Sequence, residues 1–313
     1  MSKRSPARTS MMNIRARMLV TVAVLISAPA FASPYSDINA AAEASPVTVQ
    51  ALRGNISVLE GSGGNIGVLS GSDGMLMVDD GIAVSQQKIV NALRSIGSGT
   101  LRYVINTHWH WDHTDGNGWV RRAGATVIAD QHTVHRLTET IRVVEWEHTF
   151  TPVPKAELPN LVLSADKTMN FNGEIVQIRH YGPSHTDGDL SVYFSKADVL
   201  QTGDTFWNGA FPFIDYVTGG SIDGAIEAAN ANIEMAKEQT IVIPGHGPIG
   251  NRAQLVEFRD MLVGIRTRVA ALKAEGKTMD QAVAAKPTAD YDAKWGTSVI
   301  NGALFTALVY RGV

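Results

Sequence analysis

The chain has 313 residues, 44% of them hydrophobic, and a formal net charge of −3, enough apolar sequence to bury a large core and too little charge imbalance for a disordered polyelectrolyte. Cysteine is absent, which excludes disulfides and thiolate ligands and leaves nitrogen and oxygen as the only donors for a metal. Lys3, Arg4, Arg8, Arg15 and Arg17 precede an uncharged apolar run from Met18 to Ile26 and a small-residue site at Ala30-Phe31-Ala32. That order predicts a secretory signal peptide over residues 1–32, cut after Ala32, with an apolar run too short to serve as a permanent membrane anchor. Losing five positive charges and no negative ones leaves residues 33–313 at −8 in place of −3. A chain so acidic has no general attraction to nucleic acid, and the expected location is periplasmic or secreted.

Val47 to Asp79 reads as an antiparallel meander, its apolar segments broken by Gly61-Ser62-Gly63-Gly64 and Gly71-Ser72-Asp73-Gly74. It ends in Val78-Asp79-Asp80-Gly81. The spacing of Ile89, Val90, Leu93 and Ile96 predicts a helix from about Ala83 to Ile96, and Leu101 to Asn106 predicts a buried strand. A short helix over Gly116 to Ala123, a strand over Thr126 to Ala129 and a helix from about Gln131 to His148 follow. Pro152, Pro154 and Pro159 then forbid regular structure. The second half repeats the plan, with strands at Met169 to Phe171, Glu174 to His180, Leu190 to Phe194 and Val199 to Thr202, a helix at Ile222 to Lys237 and a strand at Thr240 to Ile243. Two sheet-plus-helix halves packed sheet to sheet predict an α/β fold, a four-layer αββα sandwich spanning residues 33–313. Helices at Ala253 to Glu275, Met279 to Ala285 and Ser298 to Tyr310 make residues 251–313 a helical extension packed on it.

The strand at Leu101 to Asn106 runs into Thr107-His108-Trp109-His110-Trp111-Asp112-His113. Three imidazoles and a carboxylate within six residues exceed what packing requires and point to a metal. Further metal-capable residues stand where later strands end: His185 in Gly182-Pro183-Ser184-His185-Thr186-Asp187-Gly188-Asp189, Asp204 in Thr202-Gly203-Asp204-Thr205, and His246 in Pro244-Gly245-His246-Gly247. Neighbouring glycines let the backbone turn and leave room at each ligand. The set His-x-His-x-Asp-His, then His185, Asp204 and His246, resembles the metallo-β-lactamase superfamily over roughly Val47 to Gly250.

The resemblance implies a dinuclear zinc hydrolase, with His108, His110 and His185 on the first metal, Asp112, His113 and His246 on the second, and Asp204 bridging. It makes Asp79 a supporting residue that orients the loops near the first histidines. Imidazole and carboxylate donors suit Zn2+, and two cations sharing a water lower its pKa so that a hydroxide nucleophile exists near neutral pH. Asp112 then has a catalytic role as well as a ligand's, orienting the hydroxide. There is no Gly-x-Ser-x-Gly elbow, and histidine at position 110, where the family's iron-dependent redox branch has glutamate, favours hydrolysis.

The ligands alone do not choose among small-molecule substrates. The segment from Gly182 to Asp187 is similar to zinc β-lactamases, which together with export makes a β-lactam the leading substrate among cyclic amides and esters. Asp204 and the phrase Thr202-Gly203-Asp204-Thr205-Phe206 look more like the glyoxalase II and lactonase branches, so a lactonase or thioesterase is the alternative, and a zinc-bound binding or sensor protein is a second. The main zinc β-lactamase subclass has cysteine where this chain has Asp204 and a lysine where it has Trp207. Trp109, Phe206, Trp207 and Phe211 are candidates for an apolar lip around the substrate, with core packing the competing role.

Overall fold

A computed structural model describes residues 1–2, 33–61 and 63–313; apart from Met1 and Ser2 the expected leader lies outside the described residues. The first element, not foreseen from the sequence, is helix α1 (Pro34–Ala44), with Pro34 at its first turn and Ser33 as cap, the Ser33 Oγ accepting from Ser36 N at 3.2 Å. Lys88 Nζ donates to the carbonyls of Ala42 and Ser45 at its other end, 2.8 and 2.7 Å away.

Strands β1 (Thr48–Ala51), β2 (Ile56–Glu60), β3 (Ile66–Gly71) and β4 (Gly74–Val78) form the expected antiparallel meander. Helix α2 (Gln86–Ile96) then carries the chain to β5 (Leu101–Ile105), parallel to β4. The one-turn helix α3 (Trp111–Thr114) and α4 (Asn117–Arg122) lead to β6 (Thr126–Asp130), which is parallel to β5.

The helix expected from Gln131 to His148 is corrected by the structure. Helix α5 stops at Arg136 (Gln131–Arg136), and a two-stranded ribbon follows, β7 (Ile141–Val143) paired with β8 (His148–Phe150). The β-branched run Ile141, Val143, Val144 suits a pleated ribbon that buries Ile141 and Val143 while Arg142 faces out. A further strand not foreseen, β9 (Leu161–Leu163), adds to β6 in parallel and completes a seven-stranded sheet in the order β1-β2-β3-β4-β5-β6-β9.

Strands β10 (Lys167–Phe171), β11 (Glu174–His180), β12 (Leu190–Phe194) and β13 (Val199–Gln201) form a second antiparallel meander. Helix α6 (Ile222–Met235) crosses over to β14 (Ile241–Ile243), parallel to β13. Helices α7 (Arg252–Ala274), α8 (Met279–Ala284), α9 (Asp292–Trp295) and α10 (Gly302–Gly312) end the chain. The last begins at the Asn301 cap, three residues later than the apolar pattern from Ser298 suggests.

Strand alternation accounts for the layers. Val58, Leu76, Val78, Ile105 and Ile128 point inward to meet Val176, Val192, Phe194, Val199 and Ile243 of the second sheet. Their neighbours Leu59, Met77, Val104 and Val127 point outward under α2 and α4, while Leu200 and Val242 point outward under the C-terminal helices. The central strands β4, β12 and β13 are buried on both faces, which is why their segments read as apolar runs without a charged alternate. The result is a four-layer αββα sandwich, and residues 33–313 make one compact unit. No helix among the described residues is long and apolar enough to cross a membrane.

Candidate metal centre

Parallel strands β4 and β5 of one sheet, and β13 and β14 of the other, end at the same edge of the sandwich. The loops leaving that edge bring all seven expected ligands together in two groups: His108, His110, His185 and Asp204, and Asp112, His113 and His246. Within each group the donor atoms lie within 4.8 Å of one another. Asp204 touches both, its Oδ2 3.4 Å from His185 Nε2 and 3.3 Å from His246 Nε2, its Oδ1 3.1 Å from His113 Nε2. Asp112 Oδ2 lies 3.3 Å from His246 Nε2.

Outside each group the remaining ring nitrogens are tied down, which decides which nitrogen faces the centre. Thr107 Oγ1 donates to Asp79 Oδ2 at 2.9 Å, so it accepts from His108 Nδ1–H at 3.0 Å. His113 Nδ1–H donates to Asp79 Oδ2 at 2.8 Å, and Asp79 Oδ1 accepts from Thr107 N at 2.7 Å. Asp79 thus holds both the first and the last histidine of the motif, from a left-handed backbone (φ 64°) that aspartate tolerates. His185 Nδ1–H donates to Phe213 O at 2.8 Å, and the N–H groups of His185 and Thr186 bind Asp189 Oδ2. His110 Nε2–H donates to Asp215 Oδ2 at 3.0 Å. Sequence reasoning missed Asp215 and Asp189; the only local signal for Asp215 is the turn it makes by accepting from Val217 N and Thr218 N.

This arrangement fits cations. His110 Nδ1 and His185 Nε2 face each other at 2.9 Å, and with their protons committed elsewhere both present lone pairs. His108 Nε2 is buried without a hydrogen-bond partner. Two acceptors in contact and an orphaned third are unfavourable unless a positive charge sits among them. Burial, and then the neighbouring His113 charge, hold His108 well below the usual histidine range; burial also lowers His185, so both are kept as neutral ligands. Burial acts to lower His113 and His246 too, but Asp204 and Asp112 outweigh it, pushing His113 well up and His246 to about 9. Without metal, protons occupy the positions that cations would take. Asp204 is pulled well below the carboxylate range, against its burial, chiefly by His246 and His113.

Glycines allow the close approach. A Cβ on Gly245 would stand 2.0 Å from Asp204 Oδ1, and one on Gly64 2.2 Å from the His113 ring.

A cavity of about 470 Å³ opens over both groups. Of the four aromatics expected at its lip, only Trp207 lines it, with its ring 4.3 Å from that of His246. The other three are corrected. Phe206 packs on Phe258 and Phe211 stacks on Phe305, both under the C-terminal helices. Trp109 is buried beneath the loop and donates to Thr218 Oγ1 at 3.0 Å. The residues that do line the cavity include Ile38, Trp111, Trp146 and Phe213.

Two ligand groups sharing one carboxylate, at the strand-end edge of an αββα sandwich, define a metal-dependent hydrolase architecture. The family model of the metallo-beta-lactamase superfamily matches residues 59–246, and the chain belongs to that superfamily. It is 26% identical over 182 residues to a protein of Methanocaldococcus jannaschii described as a probable metallo-hydrolase, covering 56% of this chain and 84% of that one. A hydroxyacylglutathione hydrolase of Rhodospirillum rubrum is 25% identical over 161 residues, 51% of this chain and 53% of its own, so the chain spans about half of that relative. Among solved structures, the DIM-1 metallo-beta-lactamase superposes with a TM-score of 0.56 at 21% identity, covering 70% of this chain and 97% of that one. A variant of the sec-alkyl sulfatase PisA1 reaches 0.64 at 15% identity over 89% of this chain and 51% of its own. At these identities the structural likenesses speak to the fold.

Proposed function

We propose that the chain is an exported dinuclear zinc hydrolase that opens a cyclic amide or ester. The observation that carries this reading is the pair of ligand groups joined by Asp204 beneath an open cavity. Two divalent cations, when bound, supply an activated water and polarise the substrate carbonyl. The chain's residues supply the rest. Asp79, Asp215 and the Phe213 carbonyl fix the imidazoles as neutral donors aimed at the centre. Asp112 belongs to the second group and faces the cavity, where it orients the attacking water. Trp111, Trp207 and Phe213 shield the reacting bond from bulk solvent.

Within this class a β-lactam is supported by the Gly182 to Asp187 segment and the leader pattern. A lactone or thioester is supported by aspartate at position 204 and by the relatives described as hydroxyacylglutathione hydrolases. The test uses protein expressed from the full chain. Zinc per chain is measured, and a β-lactam, a lactone, a thioester and a phosphodiester are assayed side by side. Two zincs and turnover of a carbonyl substrate are expected, lost together on chelation and severely cut in Asp112→Asn. Activity that survives zinc removal sinks the reading, and two zincs with no turnover would favour a binding protein.

A further inference from the structure

The cavity above the ligands is unlike a site for an anion. Its walls are Ile38, Trp111, Trp146, Trp207, Phe213 and Val299, and among the described residues no lysine or arginine lines it. Asn208, one of its few polar wall residues, has its side-chain amide committed to Pro248 O at 2.8 Å. The histidines of its floor are the ligands themselves, with their outer nitrogens already bound at His110 and His185. A substrate carboxylate placed against these walls would lose its water and find no protein cation in exchange. An apolar group there gains what the carboxylate loses, at a volume ordinary for small-molecule sites.

Two of the walls belong to this chain and not to the matched family segment. Ile38 comes from α1, and Val299 from the loop before α10, both outside residues 59–246. Helix α1 is fastened in place: Tyr35 stacks on His148 with ring centroids 3.6 Å apart, and Lys88 holds its other end. The apolar wall is therefore a built feature of the folded chain, continuous with the metal-ligand floor.

We propose that this wall selects an uncharged ester, a lactone carrying a hydrophobic substituent, over any substrate with a carboxylate beside the scissile bond. The proposal rests on the hydrolase reading above. In the reaction the oxygen of water bonds to the carbonyl carbon, the ring C–O bond breaks, and the released alkoxide takes up a proton, giving a hydroxy acid.

The experiment uses zinc-loaded protein expressed from the full chain and a series of γ-lactones with alkyl substituents from methyl to octyl. kcat/KM should rise about fourfold per methylene, the equivalent of about 0.8 kcal/mol per buried CH2, until the cavity is filled. A lactone of equal length ending in a carboxylate should fall at least tenfold below its neutral partner, and Val299→Arg, at an exposed wall position, should narrow that gap. A flat chain-length dependence, or preference for the carboxylate, overturns the proposal. Alkanethiol affinity, followed through tryptophan fluorescence, reads the wall without turnover. If it climbs with chain length while no lactone is hydrolysed, the wall stands and the lactone assignment falls; the hydrolase reading falls as well only if the β-lactam and thioester are also left intact. If it does not climb, the wall itself is refuted.

Discussion

Replacing Asp215 by asparagine should weaken zinc binding at one of the two groups without disturbing the fold. The Asp215 side chain is fully buried; its Oδ1 accepts from Val217 N and Thr218 N, and its Oδ2 from Thr218 Oγ1 at 2.7 Å and His110 Nε2 at 3.0 Å. Burial acts to raise its pKa, yet the hydrogen bonds from His110 and Thr218 hold it below the usual carboxylate range, so the group at work is an anion. Asparagine has the same shape. Its carbonyl can keep the two backbone bonds only if its NH2 faces His110, which sets donor against donor. Relief requires His110 to move its proton to Nδ1, the nitrogen that faces His185 and the centre. Loss of such a partner typically costs 10- to 100-fold in metal affinity, about 1.4–2.7 kcal/mol. Competition against a chelator of known affinity measures it, with thermal unfolding of the metal-free protein as the control for folding. Zinc affinity within twofold of the parent would refute the argument, because it would show that the Asp215 contact does not select the His110 tautomer.

Asp79→Asn should weaken zinc binding at both groups, at least tenfold where His113 binds directly to Asp79 and less where His108 is reached through Thr107; asparagine tolerates the left-handed backbone at this position, so the metal-free protein should melt like the parent, and parent-like zinc titration would contradict the argument. Gly245→Ala would drive a methyl group into Asp204 Oδ1 and the Gly203 backbone; it should cost about 1–3 kcal/mol in stability and weaken both zincs, and parent-like zinc titration and melting would contradict that. In the metal-stripped protein His246 has its pKa raised to about 9 against an unfolded value near 6.5, so its contribution is full below about pH 6.5 and is lost as pH rises through about 9. The melting temperature measured in chelator should fall across that window, whereas zinc-loaded protein should show a flatter curve; parallel curves would remove His246 as the source.

The ligands could be read from the sequence because each follows a strand and the first four fall within six residues, while His185, Asp204 and His246 sit among small residues, so position and chemistry coincide. The sandwich was legible for the same reason, since strands buried on both faces leave apolar runs that length and glycine punctuation separate from helices. Besides α1, β9 and Asp189, three features were not legible. The segment after Arg136 has a composition that suits helix or ribbon, and pairing of Ile141 with Phe150 decides between them. Asp215 lies 105 residues from the histidine it serves, and nothing local marks it beyond an ordinary turn. Phe206, Trp207, Phe211 and Phe213 are chemically alike, and which of them meets substrate depends on how α7 and α10 pack beneath the loop.

The placement of the two groups also links metal to fold. His108, His110, Asp112 and His113 leave the edge of the first sheet; His185, Asp204 and His246 leave the second. Each group draws donors from both sheets, so a metal at either group could be held by its full ligand set only with the sheets docked. Binding free energy at such a site is folding free energy, and its gain falls on the docking of one half upon the other. The centre is thus a fastening across the seam as well as a place for chemistry, and the carboxylate at the middle of that seam is Asp204.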